Sequence, residues 1–301
     1  MRYTLRQIEV FLAVAASENV SRAAEELSMS QSAASGALKE LEHQFNVQLF
    51  DRIGKRLQLN EHGRQLRARA EALMARAGDM ESELTSHSSL GNLTVGATLT
   101  IGNYLCVDLI DAYLERAPDA RLNLKIANTQ SIARELLDFD IDLGLLEGEI
   151  QHPDLLLSDW RGDELVCFCS PEHPYASRAE LSERDLLEAT WILREQGSGT
   201  RQTFERALHG IYPKLNIRLE LEQTEAIKRA VRKNIGISCL SRIALIDEFR
   251  YGELMPLSTP SLNLERRLYI AIHRHKYRSP SIEAWFELCG VPLADQVLAP
   301  D

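Results

Sequence analysis

The stretch best suited to chemistry with an anion is Gly197-Ser198-Gly199-Thr200, preceded by Arg194 and Glu195 and followed by Arg201. Two glycines let backbone N–H groups face a ligand, two hydroxyls add donors, and a helix starting there adds the positive end of its dipole. The same residues also suit an ordinary Ser/Thr cap after a glycine turn. Further polar residues stand where strand patterns give way to helix patterns: Thr98 and Thr100, Asn128-Thr129-Gln130, Glu147, and Glu225. Ligands of open α/β sheets bind beyond the carboxyl ends of strands, so these segments are expected to converge on one cleft. The set is rich in hydroxyls and amides and poor in aromatics, which favours a small polar ligand. Glu147 is an acid in that expected anion site. A carboxylate only accepts hydrogen bonds, so it admits an oxyanion that still carries a proton and opposes one that does not. A salt bridge to Arg194 or Arg201 is its alternative role.

A second group lies near the N-terminus. Ser30 suits an N-cap, and Gln31, Ser32, Ser35 and Lys39 fall on the polar face of the helix that follows. Glutamine can hydrogen-bond base edges in a major groove, while a helix start with serine hydroxyls suits phosphate. Arg52, Lys55 and Arg56 sit around Ile53-Gly54, at the tip of an expected hairpin.

The elements that must position these groups follow from apolar spacing. Leu5, Ile8, Phe11, Leu12 and Ala15 recur at helical intervals, a short helix presents Ala23, Ala24 and Leu27, and a third from Gln31 buries Ala34, Leu38 and Leu41. Two short helices with a tight turn and small residues at their approach form a helix-turn-helix. Leu66, Ala70, Leu73, Ala77, Met80 and Leu84 then alternate at four and three residues, the seam of a coiled coil that pairs two copies of the chain rather than of a helix lying on its own domain, because this helix joins two domains and has little of either to pack on. Ser86 to Gly91 reads as a hinge. Beyond it strand and helix patterns alternate in two sets, which predicts two α/β lobes.

We therefore expect an α+β multi-domain chain. Its parts are a winged helix-turn-helix over 1–60, a linker helix and hinge over 61–90, and an effector-binding domain over 91–301. Lobe I of that domain takes about 91–162 and 267–301, and lobe II about 163–266. Hydrophobic residues make up 45% of the 301 and charged residues 26%, too apolar for a disordered chain. No run approaches the roughly 18–20 apolar residues that span a bilayer, and the first residues carry no apolar signal region. A cytoplasmic protein without membrane contact is expected. The net charge of −10 argues against nucleic acid only until it is divided: residues 1–60 carry seven cations and seven acids, whereas 91–301 carry 23 against 32. Cys106, Cys167, Cys169, Cys239 and Cys289 show no Cys-x-x-Cys pair, so reduced buried thiols and no metal are expected.

Ala23-Ala24-Glu25-Glu26-Leu27-Ser28-Met29-Ser30-Gln31-Ser32-Ala33-Ala34-Ser35 through Leu38-Lys39-Glu40-Leu41-Glu42, with Val47-Gln48-Leu49-Phe50-Asp51-Arg52 and Leu57-x-Leu59-Asn60-Glu61-His62-Gly63, resembles the N-terminal domain of LysR-type transcriptional regulators. The rest of the chain resembles that family's periplasmic-binding-protein-like effector domain. The resemblance implies double-stranded operator DNA, RNA polymerase and further copies of the chain as partners, in a homodimer or homotetramer, with a small anion as effector and no cofactor. Gly36 is a departure, since the family often has Arg there. Arg194 to Thr200 also looks like the oxyanion-holding segment of phosphate-binding proteins. Asp142–Gly148, Trp191–Glu195, Glu225–Val231 and Gly236–Ser241 look like the subgroup that regulates sulfite and sulfur metabolism. That points to sulfite above sulfate, with phosphate or a small organic acid as alternatives. An α/β enzyme is the rival class. No Gly-x-Ser-x-Gly, Walker loop or His-Glu-x-x-His is present, and an enzyme would leave the winged helix unexplained.

Overall fold

The structure is a computed structural model that describes residues 2–53, 56–85, 90–148 and 150–292. It divides into two compact units, Met1–Gly91 with Arg274–Ser281, and Asn92–His273 with the segment from Ile282 onward.

In the first unit, α1 (Leu5–Ser17) starts at a reciprocal cap, in which the Thr4 hydroxyl accepts from the Gln7 N–H and the Gln7 side chain accepts from the Thr4 N–H. Asn19 caps α2 (Val20–Glu26) and Ser30 caps α3 (Gln31–Phe45). Ala23, Ala24 and Ala34 are buried where the helices meet, because only small side chains let α2 and α3 approach α1. A hairpin follows, β1 (Phe50–Ile53) against β2 (Arg56–Leu59), with Arg52 opposite Leu57. Asn60 then caps α4 (Glu61–Thr85) by accepting from the Gly63 N–H. A Cβ at Gly63 would collide with the Leu49 carbonyl, so this approach requires glycine.

The expected seam on α4 divides. Ala70 is only 2% exposed and belongs to the core of its own domain, with Leu66 and Leu73 packed beside it. Ala77 is half-buried, and Met80 is 60% exposed. The side chain of Leu84 and the hinge residues 86–89 lie outside the described residues. The first half of the stripe therefore covers the winged helix, and the part free to meet a second chain is centred on Met80.

The second unit begins with β3 (Leu93–Thr98), α5 (Leu99–Tyr104), α6 (Cys106–Arg116), β4 (Leu122–Ala127), α7 (Thr129–Leu137) and β5 (Leu143–Glu147). Then come β6 (Leu155–Cys169), α8 (Glu183–Glu188), β7 (Thr190–Arg194), α9 (Gly199–Ala207), β8 (Asn216–Leu221), α10 (Thr224–Arg232), β9 (Ile237–Ser241), α11 (Ile246–Arg250), β10 (Met255–Leu257) and β11 (Glu265–His273). Pro280–Leu288 forms α12. The strands order as β4-β3-β5-β11-β6-β9-β7-β8, with β10 beside β6. Each lobe is a parallel trio completed by an antiparallel strand: β4, β3, β5 with β11, and β8, β7, β9 with β6.

The two lobes share β6 and β11. These pair with each other from Glu265 opposite Glu164 to His273 opposite Leu155, while the far end of β6 pairs with β9. Sequence patterning places a strand only over 165–170 and expects purely parallel sheets. The corrected strand is 15 residues long. Its middle, Asp159 to Glu164, is too polar to read as strand, because these residues cross between lobes with Asp159, Arg161 and Glu164 exposed and the Asp163 side chain buried in an ion pair.

Because Leu73 packs on its own domain, Met80→Asp is the substitution that tests the expected pairing through α4. If the chain pairs there, sedimentation should show a smaller species than wild type with unchanged helical circular dichroism; an unchanged mass excludes this face of α4 from any interface.

Candidate functional site

In the first unit, Ser30, Gln31, Ser32, Gly36 and Lys39 are exposed along one side of α3, and Ser35 is half-buried. The Ser30 hydroxyl accepts from the Ala33 N–H and lies 3.0 Å from the Ser32 hydroxyl. Ser35 and Lys39 line a groove of about 300 Å³ with Gln48 and Asp51, between α3 and the hairpin. Arg52 and Arg56 lie on β1 and β2, but their side chains, and the whole of Lys55, fall outside the described residues. A Cβ at Gly36 meets nothing within 4 Å, so the open face of α3 has room for a larger side chain.

In the second unit, the two lobes meet around Glu147, the last residue of β5. Its carboxylate is 1% exposed. Oε1 accepts from the Thr100 N–H at 2.6 Å at the start of α5. Oε2 accepts from the Thr200 hydroxyl at 3.0 Å in α9 and lies 2.9 Å from Arg266 Nη1. Arg266, on β11, turns its other edge to Asp163 of β6, with Nε 2.7 Å from Oδ2, and Ser241 donates to Oδ1 at 2.8 Å. Arg266 Nη1 also donates to Thr200 Oγ1 at 3.1 Å. Burial alone would raise the Glu147 pKa, but the charges of Arg266 and Arg194 and the Thr100 hydrogen bonds outweigh it and hold the carboxyl down at about 2.

Backbone contacts complete the junction. The Thr129 hydroxyl donates to the Glu147 carbonyl and accepts from the Gly199 N–H, both at 3.0 Å, and the Gln130 N–H reaches the Gly197 carbonyl at 3.2 Å. A Cβ at Gly199 would overlap the Glu147 carbonyl, so glycine is required for this approach. Gly197 has φ +86°, a conformation that favours glycine in the turn before α9. Beside these groups opens a pocket of about 480 Å³ lined by Thr129, Gln130, Gln196, Gly197, Ser198 and Arg201, among others.

Thr98, Thr100, Thr129, Gln130, Glu147, Gly197, Ser198, Gly199 and Thr200 thus gather where the lobes meet, and Asn128 caps α7 beside them. Four expected positions are otherwise engaged. Arg194 is buried and chelates its neighbour Glu195 through Nε and Nη2 at 2.8 and 2.9 Å, a charge pair that needs no ligand. Arg201 holds the Arg194 carbonyl, Glu205 and Glu220 within lobe II. Glu225 turns to Lys228 and Tyr104. Neither Arg194 nor Arg201 is the salt-bridge partner of Glu147; that partner is Arg266. The N–H of Gly199, expected to face an anion, is satisfied by Thr129.

Sequence analysis missed Arg266, Asp163 and Ser241. One signal was present: Leu264, Arg266, Leu268 and Ile270 alternate with polar residues, so Arg266 occupies an inward strand position where a charge needs a buried partner. Among the described residues no group of His, Cys, Asp and Glu could hold a metal ion, and no helix is long and apolar enough to cross a membrane.

Residues 5–64 match the bacterial regulatory helix-turn-helix protein, lysR family, and residues 86–290 match the LysR substrate binding domain. The chain belongs to the LysR family of DNA-binding transcriptional regulators. It is not an enzyme of the α/β class. It is 40% identical to the HTH-type transcriptional regulator YeiE of Escherichia coli K12, over 96% of this chain and 98% of that protein. A full-length OxyR variant from Pseudomonas aeruginosa shares the fold, with a TM-score of 0.72 at 22% identity over 96% and 95% of the two chains. The regulatory domain of CcmR from Synechocystis PCC6803, solved in complex with 2-PG, is 28% identical with a TM-score of 0.61, over 66% of this LysR-family chain and 95% of that domain.

Two outcomes follow from the geometry. Gly36→Arg should fit the open face of α3, tighten DNA binding across sequences and steepen its salt dependence by about one unit in log–log slope; an unchanged slope would place that face off the phosphates. The depressed pKa of Glu147 contributes stability that is present above about pH 4.5 and lost as pH falls towards 2. Acid unfolding of Glu147→Gln should therefore show less loss of stability over that interval than wild type, and equal slopes would contradict the buried ion pair.

Proposed function

We propose that this LysR-family regulator is switched by a small anion held between the lobes of its effector domain, a sulfur oxyanion with sulfite above sulfate. The observation that carries this is the filling of the Glu147 carboxylate by Thr100, Thr200 and Arg266. The Thr200 hydroxyl has one proton, and with Glu147 ionised that proton is turned towards the carboxylate. Its oxygen accepts from Arg266 Nη1 and has one further lone pair to offer a ligand. A ligand that meets it must bring a proton, so Glu147 acts on the ligand through Thr200 rather than by touching it.

Hydrogensulfite and hydrogenphosphate carry such a proton near neutral pH; sulfate and nitrate do not. Gln130, Gln196, Ser198 and Gln202 supply further polar groups around the neighbouring pocket, and the absence of aromatics among its lining residues suits an ion of few atoms. The segments 142–148, 191–195, 225–231 and 236–241, which look like the subgroup that regulates sulfite and sulfur metabolism, favour sulfite within that class. A relative crystallised with 2-PG keeps phosphate and small organic acids as the second reading. In this account the regulator works in the cytoplasm on operator DNA. α3 lies in the major groove and Arg52, Lys55 and Arg56 on the flanking backbone, in a homodimer or homotetramer that meets RNA polymerase at the promoter.

Calorimetric titration of wild type and Glu147→Gln with sulfite, sulfate and phosphate tests the reading. The glutamine amide can donate to the Thr200 oxygen and turn its hydroxyl proton outward, so sulfate should gain affinity relative to sulfite. Unchanged relative affinities would make Glu147 structural only, and binding of organic acids without sulfite would overturn the choice of ligand.

A further inference from the structure

A second polar cluster joins the lobes, at the other end of α5. Tyr104 closes α5 in lobe I, while Lys228 and Glu225 lie on α10 in lobe II. Lys228 is 3% exposed. Its ammonium donates to the Tyr104 hydroxyl oxygen at 3.2 Å, to Glu248 Oε1 at 2.8 Å and to the Ala244 carbonyl at 3.2 Å, and it pairs with the Glu225 carboxylate. The Tyr104 hydroxyl gives its own proton to Glu225 Oε1 at 3.1 Å, and its ring lies 5.6 Å from the ammonium.

An ammonium has three protons, and lobe II alone supplies three acceptors in Glu225, Glu248 and the Ala244 carbonyl. Tyr104 is therefore not required to satisfy the buried charge. It is the lobe I member of an otherwise complete lobe II cluster, which is the arrangement of a contact that can be made and broken at low cost. Burial pulls the Lys228 pKa down, but the hydrogen bonds to Glu225, Glu248 and Tyr104 hold it above the usual lysine range; burial raises Tyr104. Both keep their protons near neutral pH, so opening and closing here is governed by contact and not by titration.

The short helix α5 links this cluster to the cleft. At one end the Thr100 N–H binds Glu147, and at the other Tyr104 binds α10. Leu99, Thr100, Ile101 and Gly102 are buried along this single short helix, which makes it a direct mechanical link between the two contacts. Separation of Tyr104 from Lys228 withdraws Thr100 from the groups of lobe II that it faces across Glu147.

We propose that Tyr104, Lys228 and Glu225 form a clasp that sets the open–closed equilibrium of the effector cleft, and with it the apparent affinity of the anion held there. Tyr104 is in this sense a positioning residue. The affinity arm rests on the proposed anion site; the clasp itself does not. If only the closed form binds, apparent affinity falls in proportion to the closed fraction.

The test uses the full chain and Tyr104→Phe, which keeps the ring and leaves Lys228 its lobe II partners. Hydrogen exchange is followed without ligand at residues 99–104 and 224–228, and sulfite affinity is measured by calorimetry. The variant loses two hydrogen bonds to charged groups, which corresponds to exchange at least about 10-fold faster at both segments, with sulfite binding weakened by a similar factor if the open form dominates in the variant. Unchanged exchange at both segments overturns the clasp, whatever sulfite does. Faster exchange with unchanged sulfite affinity overturns its control of the cleft. Should wild type bind neither sulfite nor phosphate, the effector reading fails while the exchange comparison still decides the clasp.

Discussion

A guanidinium buried between two carboxylates ties the effector domain together where its lobes meet. Arg266 leaves β11 where the lobes meet, with Glu147 of lobe I on one edge and Asp163 of the crossing strand β6 on the other. A charge so deeply buried is tolerated only when paired and hydrogen-bonded, and loss of one partner leaves the others uncompensated. That constraint reaches outward. Glu147 must be ionised to balance Arg266; once ionised it draws in the Thr100 N–H and the Thr200 hydroxyl; and the start of α9 must come close enough to deliver Thr200, which is why residue 199 has no side chain. The sheet order serves the same end, since only the two shared strands bring Asp163 and Arg266 side by side in register.

The helical parts of this architecture were legible in the sequence wherever an apolar stripe met an evident cap, as with Ser30, whereas the Thr4 cap of α1 shows only in the structure. What covers a stripe was not. The heptad-like spacing on α4 is the same whether it faces a second chain or its own domain, and Leu66, Ala70 and Leu73 turn to their own core while Met80 does not. Strand β6 was half visible, because alternation fails where a strand crosses between lobes and exposes its polar residues. The rule that ligand sites gather at the carboxyl ends of strands did bring together Thr98, Thr100, Thr129, Glu147 and Gly197 to Thr200.

Partners distant in sequence were the part that could not be read. Nothing local assigns Glu147 to Arg266 rather than to Arg194 or Arg201, both of which find carboxylates nearby at Glu195, Glu205 and Glu220. Lys228 and Tyr104 were missed for the same reason, since each looks ordinary until α5 and α10 are side by side. Charge told more when divided by region than when summed: a DNA-binding domain of 60 residues without net charge is followed by an acidic effector domain, so contact with phosphates is left to placed groups on α3 and the hairpin.

The central claim is that an anion carrying a proton, seated beside Glu147, changes the affinity of this LysR-family protein for DNA. It is tested most directly by fluorescence anisotropy with a duplex selected by the protein itself from a random library, titrated at constant ionic strength in millimolar sulfite or in equal sulfate. The account predicts a displaced midpoint in sulfite and none in sulfate. The same displacement in both salts, or none in either, would contradict it.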